Sequence, residues 1–335
     1  MELVRAEAEA SGDSSLEGRA LTGLAEVTLN LEADASGALE LVEQALDLLE
    51  EGGGVPLYDA LQARMHVAGW VGDNDDFRAT ARRAIAVAQD LGREDLEALV
   101  TQPLAQSYLM ELDAEQAEPL VQRAAQLAAQ SGSVVGRALA AQAVGFLARI
   151  RGDVEATLAG YNEARSIYEE IGATSLEATL KMHLARELMR TGDLDEAERL
   201  LRDGVRVLKG LGDRAHLCEA QRSLAQLLVR RGKLDEAERV ALESRESVGS
   251  EDRLSLATTR LALGTVRFAQ GREEEAQLLF AEAVEGLRAY AMLAVERDAL
   301  EEIVALLREG GRDAEAAPYA ERLAELSLRS TAPIA

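Results

Sequence analysis

The sequence predicts an all-α protein, a solenoid of about eight antiparallel helix pairs, and three observations carry that expectation. The phrases RTGDLDEAER at 190–199 and RRGKLDEAER at 230–239 stand forty residues apart, and near-copying at a fixed period marks a chain built from one stacked unit. Hydrophobic residues make up 47% of the 335; many are Ala and Leu, strong helix formers, and only five prolines interrupt them. Aromatics are 3%, and no stretch alternates β-branched and polar residues as a half-buried strand does.

Residues 1–17 read as a leading helix that closes at Ser11-Gly12, either a capping helix or the second helix of a truncated repeat without its partner. The second of these makes the chain an array cut from a longer protein. Eight units of about 40 residues follow over 18–330, and residues 331–335 read as a disordered tail. The turn inside each pair falls in order at Ala33, Gly72, Leu112, Gly152, Gly192, Gly232, Gly271 and Gly311, in steps of 39 or 40. Between pairs, Gly12, Gly52, Gly92, Gly132, Gly172 and Gly212 form a second ladder with a step of 40. The fifth pair shows the logic. Gly192 can take the left-handed conformation that ends a helix, Asp193 caps the next one, and Glu196 completes a capping box. Asp73 with Asp76 and Asp113 with Gln116 repeat the device.

Packing positions recur on the same frame. Ala38, Ala117, Ala197, Ala237, Ala276 and Ala316 lie five after the turn; Ala105, Gly145, Ala185, Ala225 and Gly264 lie seven before it. Small residues facing each other bring two helices toward the lower end of the usual interaxial range. Val42, Val121, Tyr161, Leu201 and Phe280, nine after the turn, fill the remaining space.

On Ala185, Leu188, Gly192, Ala197, Leu201 and Gly204, and again on Ala225, Leu228, Gly232, Ala237, Ala241 and Ser244, the sequence resembles the tetratricopeptide repeat (TPR) family. The resemblance covers residues 18 to about 328 and implies a right-handed superhelical solenoid. Two features depart from the standard repeat: the period is near 40, and the proline that closes the repeat is missing. The long variant, in GDLDEAERLLRDGVRVLKGLGDRAHLCEAQRSLAQLL and ESVGSEDRLSLATTRLALGTVRFAQGREEEA, looks like the C-terminal TPR arrays of multidomain bacterial class III adenylate/guanylate cyclases and of ATP-dependent transcriptional activators. Neither activity carries over, because the chain has no GxxxxGK[ST] phosphate loop and no length for a cyclase domain.

The net charge of −24 disfavours nucleic acid and anionic membrane as partners, and no run of apolar residues is long enough to span a bilayer. A single cysteine, Cys218, builds no disulfide and reads as a buried inert thiol, in keeping with a cytoplasmic protein. His66, His183 and His216 stand far apart, so no metal site is expected. No carboxylate pair or nucleophile is set up for catalysis; neither an enzyme nor a cofactor is expected.

The family resemblance puts the first helix of each pair along a concave groove, with groove-facing positions two, three, six and ten before the turn. Those positions hold Gln62, His66 and Trp70; Gln102, Gln106 and Met110; Gln142, Phe146, Arg149 and Ile150. Further on they hold Met182, Arg186, Met189 and Arg190; Arg222, Gln226 and Arg230; and Leu261, Thr265 and Phe268. Five arginines against one nearby acid, Glu219, are unusual in so acidic a chain. Guanidinium forks take carboxylates, and Met and aromatics add adaptable apolar area. The expected partner is an acidic or amphipathic peptide or protein segment, or a small anionic ligand. The competing expectation is that these arginines pair with acids of neighbouring helices, Glu187 and Glu219 foremost, and that Trp70 and Phe146 pack between repeats. The expected function is a non-catalytic recognition scaffold, the regulatory array of a larger signalling protein. The alternative is a small-molecule or peptide sensor that changes superhelical shape.

Overall fold

The structure, a computed structural model, describes residues 10, 12–32, 34–248, 253–289 and 292–331. Most of the expected leading helix and residues 332–335 of the expected tail lie outside these, as do the turn at Ala33 and Ser11. The described residues form sixteen helices and no strand. In chain order they are α1 (Ser14–Glu32), α2 (Ala35–Leu49), α3 (Gly54–Val71), α4 (Asn74–Asp90), α5 (Glu94–Met110), α6 (Ala114–Ser131), α7 (Val134–Ile150) and α8 (Val154–Glu170). They continue with α9 (Thr174–Thr191), α10 (Leu194–Leu211), α11 (Arg214–Arg230), α12 (Leu234–Ser247), α13 (Arg253–Ala269), α14 (Glu273–Arg288), α15 (Leu293–Glu309) and α16 (Asp313–Thr331). Consecutive helices pack together in a TPR-like solenoid: α1 with α2, α3 with α4, α9 with α10, α11 with α12, α13 with α14 and α15 with α16, α7 with α8 at Gly145 and Gly160, and α5 with α6 through Glu97 and Arg123.

Turn chemistry follows the sequence closely. Gly72, Gly152, Gly192, Gly232, Gly271 and Gly311 all take positive φ. Leu112, at the same place in the third pair, is the one described non-glycine residue that does so, at φ 62°. A left-handed leucine costs about 1–2 kcal/mol in backbone strain. Its side chain is wholly buried, and burying a leucine recovers about 1.5–3 kcal/mol, so the strained residue is tolerated. Between the first two pairs the left-handed residues are Gly53 and Gly54, one step beyond the expected Gly52. Side chains of Asp34, Asp73, Asp113, Asp153 and Asp193 each accept from the N–H three residues on, at 2.9–3.3 Å. The capping box at Asp193 is only half made: Glu196 turns outward to Arg199 at 2.7 Å. From the sixth pair on, Lys233 and Arg272 hold the cap position and give no side-chain cap.

The chain divides into two compact units. Unit 1 comprises residues 1–107 and 119–136; unit 2 comprises 108–118 and 137–335. In unit 1, Ala25, Leu29, Ala38, Val42, Ala63 and Val67 form a core cluster between the first three helices. In unit 2 a larger cluster runs from Ala138 to Val266, with Tyr161, Leu201 and Leu208 among its buried members. Within unit 2, first helices also pack on first helices: α9 on α11, α11 on α13, and α13 on α15. Within a pair, small residues let the two helices approach closely. A Cβ on Gly160 would lie 2.7 Å from the Gly145 nitrogen, and one on Gly264 would lie 2.7 Å from the Phe280 ring.

Candidate functional site

The expected groove residues fall in both units. In unit 1, Trp70 and His66 on α3 are exposed, while Gln62 on α3 and Gln102 and Gln106 on α5 are half-buried. In unit 2, Met110 is half-buried at the end of α5. Met182 is 1% exposed inside the core cluster, so it is withdrawn from the groove. Gln142 meets the Tyr168 hydroxyl at 3.4 Å, and Phe146 packs against the core with the Arg149 guanidinium 4.7 Å above its ring.

Seven more, Arg149, Arg186, Met189, Arg190, Arg222, Gln226 and Arg230, line one cavity of about 300 Å³ inside unit 2, as does the expected Leu261. They come from α7, α9 and α11, and the remaining wall is built by α13 and α15, where Leu261, Asp298, Glu301 and Glu302 face in. These acids change the electrostatics from the bare basic groove read in the sequence. Arg149 Nη1 lies 2.8 Å from both Asp298 oxygens, and Arg186 Nη2 lies 2.7 Å from one of them. Arg297 adds a third guanidinium at 3.6 Å. Burial alone would raise the Asp298 carboxyl, but Arg149, Arg186 and Arg297 outweigh it and hold the group well below the usual carboxylate range. The competing expectation of internal pairing is therefore met at Arg149 and Arg186, through an acid the sequence reading did not single out.

Elsewhere the pairing is looser. Arg190 is half-exposed, with Glu187 at 3.3 Å and Glu301 at 4.0 Å. Arg230 donates to the Met189 carbonyl at 2.9 Å. Glu302 accepts from Gln226 at 2.6 Å and from Thr265 at 2.8 Å. Burial raises both Glu301 and Glu302, with Asp298 pushing Glu301 up further. Arg222 is 4% exposed, and its Nε has no hydrogen-bond partner. Its other contacts are long, 3.4 Å to Gln226 and 3.9 Å to Glu219. Burial, then the nearby Arg186, lowers the Arg222 pKa; an anion delivered to it acts in the opposite sense and favours the charged guanidinium.

Two further residues could have been found. Counting ten and six back from Gly311 gives Glu301 and Ala305, and both line the cavity. Asp298 and Glu302 lie off those offsets, and nothing local in the sequence marks them. His183, against Tyr161 with ring centroids 5.8 Å apart, is drawn down by burial to about 4 and is neutral near pH 7. No cluster of three metal-ligating side chains exists among the described residues. Cys218 is buried beside Ser244, as expected.

Paired helices at a forty-residue period, locked by small residues and left-handed turns, define a helical-repeat protein. Residues 178–211 and 216–289 match tetratricopeptide repeat family models, so these are tetratricopeptide repeats, and the remaining pairs share their fold. A Rap protein complexed with competence and sporulation factor is similar, with a TM-score of 0.76 at 15% identity over 95% of this chain and 86% of that one. The apo quorum sensor NprR from B. thuringiensis gives 0.62 at 15% identity, over 93% and 88%. A signal transduction ATPase with numerous domains from Pyrococcus horikoshii, which carries a tetratricopeptide repeat sensor, gives 0.53 at 11% identity, over 92% and 47%. At these identities the likeness is one of fold. No curated protein matches the sequence, and none of the described helices is long and apolar enough to cross a membrane.

Proposed function

We propose that this chain is a non-catalytic recognition module that holds a peptide or protein segment in the unit 2 cavity. In this reading it is the regulatory array of a larger signalling protein and works in the cytoplasm. One observation carries the reading: Arg222 is buried at a cavity wall with an unpartnered Nε and no carboxylate within hydrogen-bonding distance. A folded chain rarely leaves such a group without a reason. An acidic side chain or chain end on the partner meets that need. The fold agrees, since a Rap protein complexed with competence and sporulation factor and the quorum sensor NprR share it. The second reading, a sensor for a small anionic molecule, draws on the size of the cavity, about 300 Å³, at the small end of ligand pockets.

The test is titration of capped acidic peptides and of neutral counterparts against the wild type and Arg222→Met. A charge-assisted hydrogen bond is worth about 1.5–3 kcal/mol, so the variant should bind the acidic peptides at least about tenfold more weakly. Circular dichroism should show its helices intact. Equal affinity in both proteins removes this cavity from recognition.

A further inference from the structure

The five cavity arginines do not stand in equal relation to an incoming anion. Arg149 and Arg186 already share the Asp298 carboxylate at 2.7–2.8 Å. A ligand could take them only by pushing that carboxylate away. Asp298 would then remain as an uncompensated charge in a largely buried place, with its side chain 17% exposed. Stripping a buried ion of its partners is strongly unfavourable, so displacement loses to coexistence. Asp298 therefore behaves as a resident of the cavity, and Arg149 and Arg186 are spent on it.

Arg190 meets Glu187 at 3.3 Å and Arg230 donates to the Met189 carbonyl at 2.9 Å, which leaves two groups whose contacts are all 3.4 Å or longer. Arg222 has its free Nε and only long contacts. Glu301 is part-exposed at the wall, with Arg190 at 4.0 Å and Arg297 at 3.9 Å, both beyond hydrogen-bonding distance. One offers a place for a carboxylate, the other a place for an N–H donor. Resting on the reading that this cavity is the recognition site, we propose that Asp298 determines its specificity. As a built-in counter-anion on Arg149 and Arg186 it restricts the ligand to a single carboxylate, seated on Arg222, with an amide or amine N–H toward Glu301. A second carboxylate on the same ligand meets Asp298, Glu301 and Glu302, while the remaining guanidiniums, Arg190 and Arg230, are held by Glu187 and by the Met189 carbonyl.

The probes are N-acetylglycine, N-acetylaspartate and N-acetyl-aspartyl-glutamate, which carry one, two and three carboxylates on amide scaffolds. Calorimetric titration against the wild type should show less than about a twofold gain from the second carboxylate. Asp298→Asn frees Arg149 and Arg186, and there the second carboxylate should add about tenfold or more. Asp298→Glu keeps the counter-charge and should preserve the wild-type ranking, so a change seen in Asp298→Asn and not in Asp298→Glu marks the charge, whereas a merely structural role leaves the ranking alike in both. Because losing the acid can unfold the unit, the series is repeated on Arg149→Gln, Asp298→Asn, which keeps the net charge and leaves Arg186 free. It too should gain from the second carboxylate. If every variant ranks the three probes as the wild type does, while Arg222→Met still weakens N-acetylglycine, the role of Asp298 falls and the recognition site stands. If N-acetylglycine and the acidic peptides bind to none of these proteins, both fall together.

Discussion

The first-helix surfaces of unit 1 and unit 2 use the same repeat to opposite ends. In unit 1 the groove positions hold Gln62, His66, Trp70, Gln102 and Gln106, with the indole of Trp70 56% exposed. In unit 2 the groove positions hold all five arginines, and α15 supplies acids that face them. The repeat sets the frame of these positions; what stands there and what packs against it decide whether the surface stays open or becomes a charged cavity. A scaffold of this kind can vary its binding chemistry pair by pair without touching the turns or the alanine contacts that hold it up.

Removing one arginine tests that contrast most severely. Arg149→Met takes from Asp298 the guanidinium whose Nη1 meets both its oxygens in a largely buried site, and about 3–5 kcal/mol of unit 2 stability should go with it. Urea unfolding followed by circular dichroism reads the change, and a loss below about 1 kcal/mol would show that the pair is screened like a surface bridge. Next in size is Leu112→Gly, which asks whether turns are as interchangeable as the contrast supposes. Glycine relieves about 1–2 kcal/mol of left-handed strain, but truncating a fully buried leucine costs about 2–5 kcal/mol or more. The variant should therefore be less stable by about 1–3 kcal/mol in the same assay, and a gain would mean that strain outweighs packing. The smallest effect belongs to unit 1. Trp70→Ala removes a side chain that is more than half exposed and should change stability by no more than about 0.5 kcal/mol. A loss above about 2 kcal/mol would place Trp70 in the packing between repeats.

The fold was legible because its signals are local. Gly192 and its equivalents end helices by their own conformational freedom, Asp193 caps the next helix from one residue away, and Ala185 and Ala197 face each other across a single turn. Leu112 could be placed in this series by spacing alone, although its residue type argues against a left-handed turn. The site was legible only in part, for the converse reason. The offsets that pick out Arg186, Arg190 and Arg222 depend on helix geometry and carry over from pair to pair. Met182 sits on the same offset, yet it turns into the core beside Leu180 and Leu184, because which flank of α9 is covered depends on its neighbours. Asp298 reaches Arg149 across 149 residues of sequence, and no local period encodes a meeting of that kind.

That meeting bears on how unit 2 comes apart. Stacked repeats ordinarily couple only to the pair beside them, so an array frays from its ends, one pair at a time. Asp298 joins the eighth pair to Arg149 of the fourth and Arg186 of the fifth, which makes the last pair answerable to pairs well upstream. Melting should accordingly be collective over these five pairs, and a chain cut before α15 would lose more cooperativity than two helices account for.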